Sequence, residues 1–133
     1  MTEVFADTFY FLALLSPSDK AYERARAITV NQRSRLVTTA WVLTELANSL
    51  CKQDTRGKFF DTLRSLQSDP TAVIIGPEKH WFDAGIELYE TRPDKDWSLT
   101  DCISFVVMQE RAIADALTGD HHFEQAGFRP LLK

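Results

Sequence analysis

Short apolar, β-branched segments alternating with longer stretches of helical periodicity predict an α/β fold: a three-layer arrangement with a short central parallel sheet of four to five strands flanked by helices. Two further observations support it. Val4-Phe5-Ala6 and Thr71-Ala72-Val73-Ile74-Ile75 are apolar without alternation, as strands buried on both faces are, and 133 residues at 44% hydrophobic content suffice for one core and no second domain. The chain is therefore read as a single domain over residues 1–133.

The elements follow in order. Val4-Phe5-Ala6 is a strand ending at Asp7 and passing directly into a short helix from Thr8 to Leu15, which Ser16-Pro17 stops. From Asp19 to Gln32, Ala21, Tyr22, Ala25 and Ile28 recur at helical spacing among charged residues, with Ser16-Pro17-Ser18 available as a cap. Leu36-Val37-Thr38-Thr39 predicts a second strand, and Ala40 to Gln53 a helix whose apolar stripe is Val42, Leu43, Leu46, Ala47 and Leu50. A helix over Lys58 to Ser68 precedes the strand Thr71 to Ile75, closed by Gly76-Pro77, and Glu78 to Thr91 is helical again. Arg92 to Trp97 is a polar, Pro93-containing loop; Leu99 to Arg111 is a buried helix. Asp115 to Thr118 and Arg129 to Leu132 are the last strands, separated by a short turn at His121-His122-Phe123-Glu124. There is no internal repeat and no low-complexity segment.

The net charge of −4 and pI near 5.3 exclude a protein that coats nucleic acid through a broad basic face, so any such contact is local. Cys51 and Cys102 lie in segments read as helical with apolar neighbours and are expected to be packed thiols in a reducing compartment. The start of the chain lacks the pattern of a secretory signal, and no apolar run approaches the ~20 residues of a membrane span. A cytoplasmic protein with no membrane partner is expected.

In a parallel sheet, functional groups gather at the carboxyl ends of the strands. Asp7 follows the first strand and Asp120 the fourth; Glu45 lies just over one turn into the helix after the second, and Asp101 lies in the first turn of the helix after the Pro93 loop. All four can face one edge of the sheet. Asp101 also completes a capping box with Ser98, and Asp120 can cap the turn that follows it. Glu45 has no Lys or Arg three or four residues away and reads equally as a solvated helix position. Asp7 fits a structural role least, because an acid between apolar segments risks burial, where an unpaired charge costs several kcal/mol. A cation should sit beside it, and no nearby Lys or Arg offers one. Crowded carboxylates repel and raise one another's pKa unless a cation neutralises them. Oxygen donors favour Mg²⁺ or Mn²⁺, as one or two ions, and phosphodiester hydrolysis is the chemistry such a site supports.

At this point the residues resemble a known family. Asp7-Thr8, the helix segment Val42-Leu43-Thr44-Glu45-Leu46, Ser98-Leu99-Thr100-Asp101 and Ala116-Leu117-Thr118-Gly119-Asp120-His121-His122-Phe123 are similar, in order and over nearly the whole chain, to the PIN-domain nucleases and especially the VapC toxins. The resemblance implies a metal-dependent endoribonuclease with Asp7, Glu45, Asp101 and Asp120 as catalytic and metal-binding acids, and Thr8, Thr100 and Thr118 supporting them. Asp115, a further acid near the fourth motif, is expected to support the same site. The resemblance also implies an RNA substrate, a small antitoxin whose C-terminal segment lies across the site, and a homodimer.

Other residues are assigned by elimination. His121 and His122 could bind phosphate or metal, but neighbours on a turn seldom converge, and both are expected to be exposed. Trp41, Trp81 and Trp97 could stack on bases, although Trp41 and Trp81 suit a core or dimer contact. Of the basic residues Arg24, Arg26, Arg33, Arg35, Lys52, Arg56 and Lys58, the last two are the preferred groove candidates. A phosphatase or phosphotransfer site is disfavoured, because Phe9 stands where a second Asp would be needed. A catalytically inactive PIN-like binding or regulatory module, and a PIN-domain RNA-processing nuclease without an antitoxin, remain as alternatives.

Overall fold

The computed structural model describes residues 2–133; Met1, included in the single-domain reading, lies outside them. The described residues form five strands joined by one or two helices each: β1 (Glu3–Ala6), α1 (Thr8–Leu15), α2 (Tyr22–Val30), β2 (Arg35–Thr39), α3 (Ala40–Ser49), α4 (Arg56–Ser68), β3 (Val73–Ile75), α5 (Lys79–Thr91), α6 (Leu99–Glu110), β4 (Asp115–Leu117), α7 (His121–Gln125) and β5 (Arg129–Pro130). The strands form one sheet in the order β3-β2-β1-β4-β5, with every neighbouring pair parallel. This bears out the expected α/β class, with the sheet at the upper end of the expected strand count.

Local chemistry moved several boundaries. Asp19 accepts a hydrogen bond from the Ala21 amide at 2.8 Å and turns the chain once more before α2, so the helix begins at Tyr22 and not at Asp19. The helix after β2 ends at Ser49, where Leu50 donates its amide to Leu46 and Ala47 and closes the last turn. That ending leaves Cys51 exposed in the following loop, against the expectation of a packed thiol, while Cys102 is buried on α6 as expected. The turn at His121 is a short helix, α7. The last strand covers only two residues, Arg129–Pro130, at the edge of the sheet beside β4, and the Leu131 amide beyond it still donates to the Ala116 carbonyl at 2.9 Å.

The core follows from the unalternating strands. Val4, Phe5 and Ala6 of β1 are all buried, which the central position of β1 between β2 and β4 requires. Phe105 of α6 and Phe123 of α7 meet edge to face with centroids 4.9 Å apart, and Phe123 also packs on Phe5. Trp97 packs edge to face on Phe105 at 5.0 Å and donates its indole N–H to Gln125, so the loop after α5 is tied to α7. Trp81 is buried in the core and Trp41 packs partly against it, in agreement with their sequence pattern. At the amino end of the sheet Arg111 forms a two-pronged ion pair with Glu3 (3.0 and 2.7 Å), and Arg129 forms another with Asp115 (2.9 and 2.8 Å).

Helices α5 and α6 approach closely at Gly85. A Cβ there would stand 2.3 Å from Cγ1 of Ile103 and 3.3 Å from its backbone. Replacing a helical glycine by alanine normally adds stability, by about 1 kcal/mol. Here Gly85→Ala is expected to cost about 1–3 kcal/mol instead, because the overpacked contact forces the helices apart. Urea unfolding of the variant measures the sign; a gain in stability would show that the two helices are not packed this closely.

Candidate metal centre

Strands β2 and β3 lie to one side of β1, whereas β4 and β5 lie to the other. The chain thus reverses direction across the sheet between β1 and β4, and a crevice opens at their carboxyl ends. Asp7 follows β1 directly and is the residue before α1, but its carboxylate does not cap that helix. It turns instead toward Thr118, just past β4, whose hydroxyl donates to Asp7 Oδ2 at 2.9 Å. The same Thr118 oxygen accepts the Asp120 amide at 3.0 Å, so one buried hydroxyl aligns two of the four acids.

The other acids arrive from helices. Thr39 caps α3 through the Val42 amide, which sets the register that carries Glu45 to the crevice, where the Thr8 hydroxyl donates to Glu45 Oε1. Asp101 completes the expected capping box: its amide donates to Ser98 Oγ at 3.0 Å, and its Oδ2 accepts the Ser98 amide at 3.1 Å. Asp120 caps α7, its Oδ1 accepting the His122 amide at 2.9 Å. Both residues cap a helix and line the same cleft. One cap bond uses one oxygen lone pair and leaves the carboxylate others.

The resulting cleft has a volume of about 410 Å³ and is lined by Asp7, Glu45, Asp96, Asp101, Asp120 and His122 among others. Gly119 shapes it from beneath, since a Cβ at that position would stand 2.5 Å from Cζ of Phe9, another lining residue. Asp7 is only 5% exposed. Burial pushes its pKa up to about 7, against the lowering hydrogen bond from Thr118, and the charges of Asp101 and Glu45 push it further up. Asp101 is shifted the same way, chiefly by burial, with Asp120 adding repulsion against the lowering bond from Ser98.

These observations test the donor set against a divalent cation. The partner that Asp7 finds is a neutral hydroxyl, and the charges acting on it are negative. Carboxylate oxygens facing a cleft without an opposing Lys or Arg suit a hard cation, and the residues fit one.

Other expectations need correction. Asp115 begins β4 at the opposite end of the sheet, where Arg129 holds it, because a residue at the start of a parallel strand cannot reach the crevice at its end. Thr100 is half-buried on α6 and engages Ser104 through its carbonyl, with no hydrogen bond to the four acids among the described residues, whereas the hydroxyls of Thr8 and Thr118 do hold acids in place. Arg56 donates to the Cys51 carbonyl at 2.8 and 3.3 Å, which closes the loop between α3 and α4; neither it nor Lys58 lines the cleft. His121 is exposed as expected, but His122 turns inward with Nδ1 3.3 Å from both Asp101 Oδ2 and Asp120 Oδ1. Asp96 and Phe9 line the cleft without having been singled out as site residues. The alternation of exposed His121, inward His122 and buried Phe123 is the local signal that places the histidine once Phe123 is known to be core.

Comparison with known proteins agrees with the fold. The PIN domain family model matches residues 4–129. Among solved structures, the chain is similar to the crystal structure of Mycobacterium tuberculosis VapC20, a sarcin–ricin loop cleaving toxin, with a TM-score of 0.84 at 20% identity over 94% of this chain and 95% of that one. No curated protein matches the chain. Among the described residues no helix is long and apolar enough to cross a membrane.

The raised pKa of Asp7 has a signed consequence. Between its ordinary value of 3.8 and about 7 the folded chain holds a proton that the unfolded chain has released, so stability falls as pH rises through that interval. In the presence of a chelator, urea unfolding is expected to lose stability across it with a slope approaching about 1.4 kcal/mol per pH unit for that one proton. Asp7→Asn removes this component; an unchanged slope in the variant would assign the effect to other groups.

Proposed function

We propose that this chain, which belongs to the PIN-domain family, is a divalent-metal-dependent endoribonuclease and the toxin of a toxin–antitoxin pair. The observation that carries the reading is the convergence of Asp7, Glu45, Asp101 and Asp120 on one cleft at the β1–β4 reversal, with a buried Asp7 that no basic side chain neutralises. The likeness to a toxin that cleaves the sarcin–ricin loop supports RNA as the substrate class.

Asp7, Glu45, Asp101 and Asp120 would hold one or two Mg²⁺ or Mn²⁺ ions. When bound, such an ion activates water and offsets the charge that develops on phosphate oxygens. The chain's own residues supply alignment. Thr118 holds Asp7 beside the Asp120 backbone, Thr8 holds Glu45, and Ser98 fixes Asp101 at the start of α6. The acidic cleft repels a phosphate backbone until cations occupy it, so RNA binding and catalysis depend on the same loading. A net charge of −4 is compatible with that design.

A small antitoxin protein is the proposed inhibitor and the cytoplasm the proposed location. The homodimer proposed from the family resemblance has a candidate face on α5, where Phe82, Ile86 and Tyr89 are exposed at helical spacing.

Asp7→Asn and Asp101→Asn are each expected to lower Mn²⁺-supported RNA cleavage on the order of a hundredfold or more, as when a group that stabilises transition-state charge is removed, with circular dichroism unchanged. Cleavage retained in both variants would overturn the assignment. For the dimer, light scattering should show a shift toward monomer in Ile86→Glu. A monomeric parent chain would refute that part.

A further inference from the structure

The acids do not account for every donor in the cleft. His122 lies on α7, whose placement is set by Phe123, fully buried against Phe5 and Phe105. That anchoring sends His121 to solvent and turns His122 toward α6. The His122 Nδ1 atom is shut off from solvent and has no hydrogen-bond partner among the described residues, although Asp101 Oδ2 and Asp120 Oδ1 each lie 3.3 Å from it. Asp120, His121 and His122 also form a group whose donor atoms all lie within 4.8 Å of one another.

A buried ring nitrogen without a partner is costly unless something else takes its lone pair. The spacing indicates what that is. Adjacent donors around an octahedral ion with bonds of about 2.1 Å are about 3.0 Å apart, so a slight contraction would bring Nδ1, Oδ2 and Oδ1 onto one ion. His121 is less suitable. Its Nδ1 is 3.7 Å from Asp120 Oδ1, and the side chain is 63% exposed.

We infer that His122 ligates, through Nδ1, the ion held by Asp101 and Asp120, making this centre a mixed nitrogen–oxygen site that prefers Mn²⁺ to Mg²⁺. The inference rests on the metal-dependent reading proposed above. An imidazole nitrogen favours a first-row transition ion, whereas Mg²⁺ takes oxygen donors and keeps its waters. His122 is thereby a specificity-determining residue for the metal.

The test uses the full chain with Mn²⁺ alone, so that no turnover is needed. Pulsed electron paramagnetic resonance of bound Mn²⁺ is expected to show ¹⁴N coupling from an imidazole. His122→Asn places an amide near the Nδ1 position and keeps a hydrogen-bond donor, and is expected to abolish the coupling. By calorimetry it should weaken Mn²⁺ binding by about tenfold or more, while Mg²⁺ binding changes by about twofold or less. His121→Asn should retain the coupling. Bound Mn²⁺ without nitrogen coupling, or coupling that persists in His122→Asn, overturns the inference and leaves the metal-centre reading standing. No Mn²⁺ binding by the parent chain overturns both.

Discussion

The carboxylate of Asp7 is buried at the carboxyl end of the central strand, and much of the molecule is arranged around that constraint. The side chain leaves an apolar strand for the one point where the sheet reverses direction, and there it meets Thr118 from β4. Placing a charge in such a position costs several kcal/mol, and a hydroxyl offsets only part of that cost. The remainder appears as the raised pKa of Asp7. A cation in the cleft would remove the penalty, which links the stability of this corner of the fold to the chemistry assigned to it.

The positioning of the other acids relies on helix capping. Ser98 with Asp101, Thr39 before α3, and Asp120 with the His122 amide each begin a helix and each also set the direction of a cleft-facing carboxylate. A cap contributes about 1 kcal/mol to a helix and fixes its first turn in angle, so the same bonds that start α6 and α7 would preorganise the proposed donor set. Structural and functional explanations of Asp101 and Asp120 therefore do not compete.

How far the site could be read from the sequence depended on the range of the interactions. The order and type of the elements follow from local periodicity, and the four acids stood out because each sits at a strand end or in an early helix turn. The strand order β3-β2-β1-β4-β5 is a long-range property, and it decides which ends are neighbours. Asp115 departs from the motif's expectation because proximity in sequence to Thr118 does not bring it to the same end of β4, where Arg129 holds it at the start of the strand. The inward turn of His122 is long-range for a related reason: it depends on the burial of Phe123, and that depends on Phe5 and Phe105 far away in the chain. Cys51 depended on where α3 stops, a boundary that periodicity alone does not locate.

The central claim is that the four carboxylates form one cation site. Anomalous diffraction from crystals of the chain grown with Mn²⁺ examines it most directly. The account predicts a manganese peak within the cleft, coordinated by oxygens of at least Asp7 and Asp101. At saturating Mn²⁺, an empty cleft, or a peak bound only elsewhere on the surface, would contradict it.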